Sequence, residues 1–184
     1  ANLESTDEGK TAGIYLMFTV IGAVLVVGLS LKSYWATVIS GVGLGILMIW
    51  LKGISALIGI KAGIVIDLVV PIGMISLGVD FVVHSVRRYK EEINNGNLPR
   101  HSLRLGFTSI LGVLILALLS DSIAFLSNLS SSIEAVTHFG SAAGIGVLSS
   151  FLVLGIWAPV VMMRIDEKIL QSDLCGNGLL PNSV

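Results

Sequence analysis

Charge is the scarcest property of this sequence. Lys, Arg, Asp and Glu together make up 12% of its 184 residues, where soluble domains carry about 25%. That shortage excludes a soluble core wrapped in polar helix faces, because the apolar runs are too long and continuous to leave each helix a solvated side. A formal net charge of −1, with no basic stripe beyond the flanks of those runs, excludes nucleic acid as a partner. Cysteine is nearly absent. Cys175 stands alone, so no internal disulfide can form and the chain carries no redox-compartment signal. No nucleophile elbow, phosphate-cradling glycine loop or zinc-ligand spacing occurs, so neither a membrane hydrolase nor an ATPase is expected, nor a metal or organic cofactor. The chain opens on Ala1 with no basic segment ahead of its first apolar run. A cleavable signal peptide is therefore not expected, and a processed chain or an excised piece is.

What the sequence has is apolar length: 54% hydrophobic residues and a mean hydropathy of +0.91. Runs of about 18 residues or more can each cross a hydrocarbon core of about 30 Å. About five such runs predict an all-α membrane protein, a bundle of transmembrane helices spanning 11–165. Residues 1–10, with Glu4, Asp7 and Glu8, form an acidic extracytoplasmic lead-in. The first run covers 11–31 and the second 34–51. Tyr34 and Trp35 at one border and Trp50 at the other fit the interfacial aromatic belts. Only Lys32-Ser33 separates these two, a hairpin that forces antiparallel neighbours. The third run begins near Gly63, contains Pro71, and ends at Arg87-Arg88-Tyr89-Lys90-Glu91-Glu92. Proline is tolerated there because membrane bundles re-satisfy the freed backbone. The break from Asn94 to Pro99 leads into a mixed segment near 99–109, read as a short cytoplasmic interfacial helix feeding the fourth run at 110–129. The fifth run covers 136–163, with Pro159 near its end, and 166–184 is a polar cytoplasmic tail. Its ending, Pro181-Asn182-Ser183-Val184, is expected to be a true C-terminus.

The basic residues orient this bundle. One side holds Lys32, Arg87, Arg88, Lys90, Arg100, Arg104, Arg164 and Lys168, the other only Lys10, Lys52 and Lys61. The positive-inside rule puts the first group in the cytoplasm of a multi-pass cell-membrane protein, with the N-terminus outside and the C-terminus inside. An odd number of spans agrees.

Glycines at close spacing, Gly41, Gly43 and Gly45 in the second run and Gly140, Gly144 and Gly146 in the fifth, are read as close-packing surfaces for helix backbones. Carboxylates inside the runs are a different matter, since a charged side chain at mid-bilayer costs about 2.5–3.5 kcal/mol on insertion scales. Asp80 lies seven residues before Arg87, about 10 Å from that boundary at 1.5 Å per residue, and Asp121 is about 16 Å deep by the same arithmetic. Ser76, Asp80 and His84 recur at i, i+4 and i+8 and so share a helix face. Ser120, Asp121, Ser122 and Asn128 give the fourth run a comparable patch. A proton carrier needs a carboxylate tuned by burial, with hydroxyl, imidazole or water neighbours that pass the proton on, and these residues supply those groups. The competing reading makes Asp80 a helix-packing residue bonded to a nearby hydroxyl and His84 an interfacial side chain. Asp67 is expected to be solvated, and Glu134 with His138 to cap the fifth span. His84 and His138 sit at opposite ends, so they are not expected to share a metal.

The segment from Gly78-Val79-Asp80-Phe81 through His84-Ser85-Val86-Arg87-Arg88-Tyr89 resembles the fourth-helix motif of resistance-nodulation-division transporters. It is closest to the MMPL and hopanoid-exporter-like branch, where Gly-x-Asp-Tyr and a following His-x-x-x-Arg-Tyr recur. Leu118-Leu119-Ser120-Asp121-Ser122-Ile123-Ala124-Phe125 is similar to the family's Leu-Thr-Thr-Ala-Ile-Gly-Phe, and His138-Phe139-Gly140 through Pro159 resembles the last helix of a half-transporter. The resemblance covers nearly all of 11–165 and implies helices two to six of one half of a proton-motive-force-driven exporter of lipids or other hydrophobic molecules. It implies Asp80 as proton carrier, with Ser76, His84, Ser120 and Asp121 as relay neighbours. The partners it implies are membrane lipids, a hydrophobic substrate, a second transmembrane half and extracytoplasmic porter domains. The chain departs from the pattern where Phe81 replaces Tyr or a second Asp, and where Asp121-Ser122 replaces Thr-Thr or Thr-Ala. The family's first helix and large extracytoplasmic domain have no counterpart in it. Two other classes share the five-helix block: sterol- or lipid-sensing membrane modules, and protein-translocation accessories similar to SecD and SecF.

Overall fold

The computed structural model describes the backbone of residues 2–59 and 68–176 and the side chains of 13–59 and 68–172; Asp67 and Lys61 lie outside the described residues. Helix α1 (Asn2–Leu31) turns through Lys32, held at φ 46°, into α2 (Tyr34–Ile58). Thr37 fastens the hairpin by donating its hydroxyl to the Ser33 carbonyl at 2.8 Å. Gly59 closes α2 at φ 74°, a left-handed conformation that costs glycine nothing, and its N–H caps the last carbonyls. α3 (Val70–Asn94) carries Pro71 in its first turn, where a missing N–H breaks no helical bond. Gly96 at φ 87° then reverses the chain into α4 (Pro99–Leu126), which also starts on proline. Residues 99–109 and the fourth apolar run form this one continuous helix.

A 3₁₀ turn at Ser127–Ser130 leads to α5 (Glu134–Ser150). It runs through a π-helical segment (Phe151–Trp157) into α6 (Ala158–Gly176). Proline explains the widened turn: Pro159 has no N–H for the Gly155 carbonyl and its ring crowds that carbonyl, so the ladder loosens just before it. No strand occurs among the described residues, and five helical stretches are long and apolar enough to cross a membrane. The bundle is a helical membrane protein, as its apolar runs require.

α3 is the hub, touching α1, α2, α4, α5, the π segment and α6. Its buried residues Met74, Ile75, Val82 and Val86 join Leu44, Leu47, Ala142, Val147 and Leu154 in the main core. Small residues let the backbones close in. A Cβ on Gly43 would lie 2.7 Å from Leu154 Cδ2, and one on Gly78 would overlap Leu154 Cδ1, so the fully buried Leu154 side chain sits between two glycines of different helices. A Cβ on Gly140 would come within 2.7 Å of the Phe125 carbonyl oxygen, which fixes the α4–α5 crossing. The expected packing role is thus carried by Gly43, Gly140, Gly144 against Leu126 and Gly146 against Met74, with Gly41 in ordinary contact with Val24, whereas Gly45 faces open space.

Candidate functional site

The polar residues of α3 divide by face. Gly78, Phe81, Val82, Ser85 and Tyr89 are buried in the bundle, while Ser76, Asp80, His84 and Arg87 point out of it. The stripe Ser76–Asp80–His84 therefore exists as a surface stripe rather than an interior channel. α4 packs beside α3 and brings Asp121, half-buried, within Coulombic reach of Asp80. Depth arithmetic puts these two carboxylates within about a turn of one level, and the fold brings them together. Neither makes a hydrogen bond within the described residues. The Ser122 hydroxyl next to Asp121 is buried and likewise without a partner, as is that of Ser85. Ser120 and His84 lie on outward faces of their helices, His84 one turn beyond Asp80 towards Arg87. Two carboxyl groups without partners, beside a spare hydroxyl, are free to accept donors from another molecule.

Phe81, at one departure from the transporter motif, faces away from Asp80. Its ring meets Phe151 edge-on (centroids 5.6 Å apart, planes at 80°) in a small apolar cluster with Leu114. Asn128 does not join the site. Its side-chain amide donates to the Phe125 carbonyl at 3.1 Å and caps the end of α4. At that same end Glu134, in the first turn of α5, lies 3.4 Å from His138 Nε2. No group of side chains suited to holding a metal ion occurs among the described residues.

The end of the bundle carrying Arg87–Glu92 is tied together by polar contacts. The Tyr89 hydroxyl donates to Asp166 Oδ2 at 2.7 Å, and Lys90 Nζ donates to the Leu31 carbonyl at 3.1 Å. Arg88 reaches Ser109 Oγ at 2.9 Å and Glu91 at 2.7 Å. A Cβ on Gly106 would stand 3.1 Å from the Arg88 carbonyl oxygen, so α3 and α4 come closest at this end. Sequence reasoning missed the Tyr89–Asp166 latch, whose partners are 77 residues apart, and the seat of Leu154. Pro159 and Gly155 were the available signal for the π turn near Leu154.

A family model described as the sterol-sensing domain of SREBP cleavage-activation matches residues 15–179. No individual curated protein matches the chain. Sterol-sensing domains and resistance-nodulation-division transporters share one superfamily, so the resemblance to those transporters holds at the level of the superfamily and not of the MMPL branch. With a match across all five apolar helices, the chain belongs to the sterol-sensing domain family of membrane proteins.

Proposed function

We propose that this bundle couples proton uptake at Asp80 and Asp121 to the movement of a lipid or other hydrophobic molecule across the cell membrane, in the manner of an MMPL-like exporter. The observation that carries this reading is the approach of two carboxylates from neighbouring helices on a seam that the bundle leaves uncovered. Ionised together they repel, and a proton taken up by either removes both the repulsion and part of the cost of holding charge at membrane depth. Ser76, Ser120 and His84 line the approach from either side and hand the proton on. An uncovered charged seam calls for another protein surface over it, which fits a second transmembrane half, with porter domains outside handling the substrate. The basic end, rich in Arg and Lys, lies in the cytoplasm on this reading, the N-terminus lies outside, and the proton gradient is the energy source in place of a cofactor or enzymatic step.

The family match favours a second reading, a sterol- or lipid-sensing module that changes packing when a sterol enters the bundle and moves no protons. One experiment separates the two: the intact protein in liposomes under an imposed pH gradient, with lumenal acidification and transfer of a fluorescent sterol followed together. The exporter reading expects gradient-dependent transfer that falls at least tenfold in Asp80→Asn. Transfer unchanged in Asp80→Asn overturns it. Saturable sterol binding with no proton flux assigns the sensing role instead.

A further inference from the structure

Away from the carboxylate seam, α4 and the α5–α6 helix form an open groove of about 320 Å³. Leu103 and Phe107 line it from α4, and Ile156 and Val160 from the π segment and α6, with Arg100 and Arg104 at one end. Both walls change character in the same direction. On α4, Arg100 and Arg104 precede Thr108 at intervals of four, so that wall is basic first and apolar deeper in. On α6, Arg164 follows Val160 by one turn and Glu167 by two, so the opposite wall turns from apolar to charged at the same end. Arg100 is held by a salt bridge to Glu167 across the groove's rim. Arg104, Arg164 and Lys168 are exposed and have no ion pair among the described residues, which leaves Arg104 unneutralised in the groove wall and the other two unneutralised on α6 beyond its apolar end.

We infer that this groove binds a phospholipid with an anionic headgroup, one acyl chain lying along Leu103, Phe107, Ile156 and Val160 and the phosphate among Arg104, Arg164 and Lys168. Charge complementarity selects this occupant. Three spare cations at headgroup level attract an anion, and the slot beyond them offers a chain only apolar contacts. A protein helix would leave the cations unmatched, and a sterol has no anion to give them. Because two of the four apolar lining residues, Ile156 and Val160, belong to the widened helix around Pro159, the bound chain would brace the π segment in the geometry seen here.

The test is native mass spectrometry of the intact protein in detergent, titrated with phosphatidylglycerol against phosphatidylcholine of matched chains. Phosphatidylglycerol should be retained preferentially, and each cation removed should cost about fivefold in that preference. Arg104→Gln with Arg164→Gln should therefore nearly abolish it, and Arg104→Lys should preserve most of it. Both arginines are exposed, so the variants keep the fold. Val160→Trp, which fills the slot, should displace either lipid. Equal retention of the two lipids, or a preference that survives the double substitution, overturns the assignment. Competition by glycerol 1-phosphate at the same concentration would show a headgroup-only phosphate site and overturn it as well.

Discussion

α3 meets its neighbours in two different ways. Towards α2 and the π segment it closes on glycine, with Leu154 seated between Gly43 and Gly78 and no polar group in the contact. Towards α4 it closes on Gly106 at the basic end and on Leu114 through Phe81, while on its outer face Asp80 stands exposed and Asp121 of α4 half-buried. Burial follows the same division: half of the most apolar window of α3 is buried, but 6% of that of α4. Val113 and Leu116 of α4 are each 69% exposed, as side chains facing lipid or another bundle are. The lesson is that one side of α3 is finished by this chain and the other is not. Stability resides in the first, and the second carries the carboxylates on which the proposed proton coupling rests.

The comparison breaks most sharply at Gly78. A Cβ there overlaps Leu154 Cδ1, and the leucine cannot retreat because its other methyl already covers Gly43. Gly78→Val should cost roughly 3 kcal/mol, the upper end for overpacking a filled site, measured as loss of resistance to denaturant in lipid nanodiscs. Leu154→Ala alone opens a cavity and costs roughly 2–5 kcal/mol. Combined with Gly78→Val it should cost clearly less than the sum, because the deletion makes room for the insertion. Additive costs would mean that the two residues do not share the seat.

Tyr89→Phe comes next. The hydroxyl it removes is donated to Asp166, and a bond to a charged acceptor contributes roughly 1.5–3 kcal/mol. The half-buried position of Asp166 lets water replace the tyrosine, so a loss of about 1.5 kcal/mol is expected, at the lower end of that range. Hydrogen exchange of the last turns of α6 should quicken in parallel, while the centre of α3 stays protected. A uniform loss of protection would show that the latch belongs to the cooperative core rather than to its end.

Much of this is legible in the residues. Five apolar runs dictate five spans because hydrocarbon forces each backbone to satisfy itself within a helix. Lys32-Ser33 dictates an antiparallel pair, and the spacing of Ser76, Asp80 and His84 dictates one shared face. The direction in which that face points is not legible. Burial of a helix face is set by its neighbours, and in a membrane the lipid-facing side is as apolar as the core, so hydrophobicity does not separate them. Close spacing marks the glycines as packing surfaces, but nothing in it distinguishes Gly43, which Leu154 fills, from Gly45, which meets nothing. Residues 99–109 look interfacial because Arg100 and Arg104 interrupt an apolar pattern, yet they are the first turns of α4 itself, with both arginines at its basic end.

Gly112 probes the unfinished side. It lies in mid-α4, where an added Cβ would meet nothing within 4 Å, so Gly112→Ala should be tolerated and should gain about 0.5–1 kcal/mol from helix propensity. Destabilisation instead would reveal a surface packed against α4 in the assembled protein. That is the result expected if the second half covers this part of the helix as well as the carboxylates.

Asp80→Asn should have the smallest effect on stability and therefore says most about the seam. A carboxylate that held helices together would be bonded to them, and its loss would leave a partner unsatisfied at a cost of roughly 1–3 kcal/mol. Asp80 has no hydrogen bond or ion pair within the described residues, and Asp121, of like charge, lies within its Coulombic reach. Removing its charge therefore takes away a repulsion and breaks no contact, and the folding free energy should move by less than about 0.5 kcal/mol, as for an ordinary surface change. If Asp80→Asn in the intact protein leaves stability in place while abolishing gradient-driven transfer, the residue is retained for its proton and not for its packing. If it unfolds the bundle, a donor from outside these helices holds Asp80, and the open seam of α3 is a structural joint to the surface that covers it.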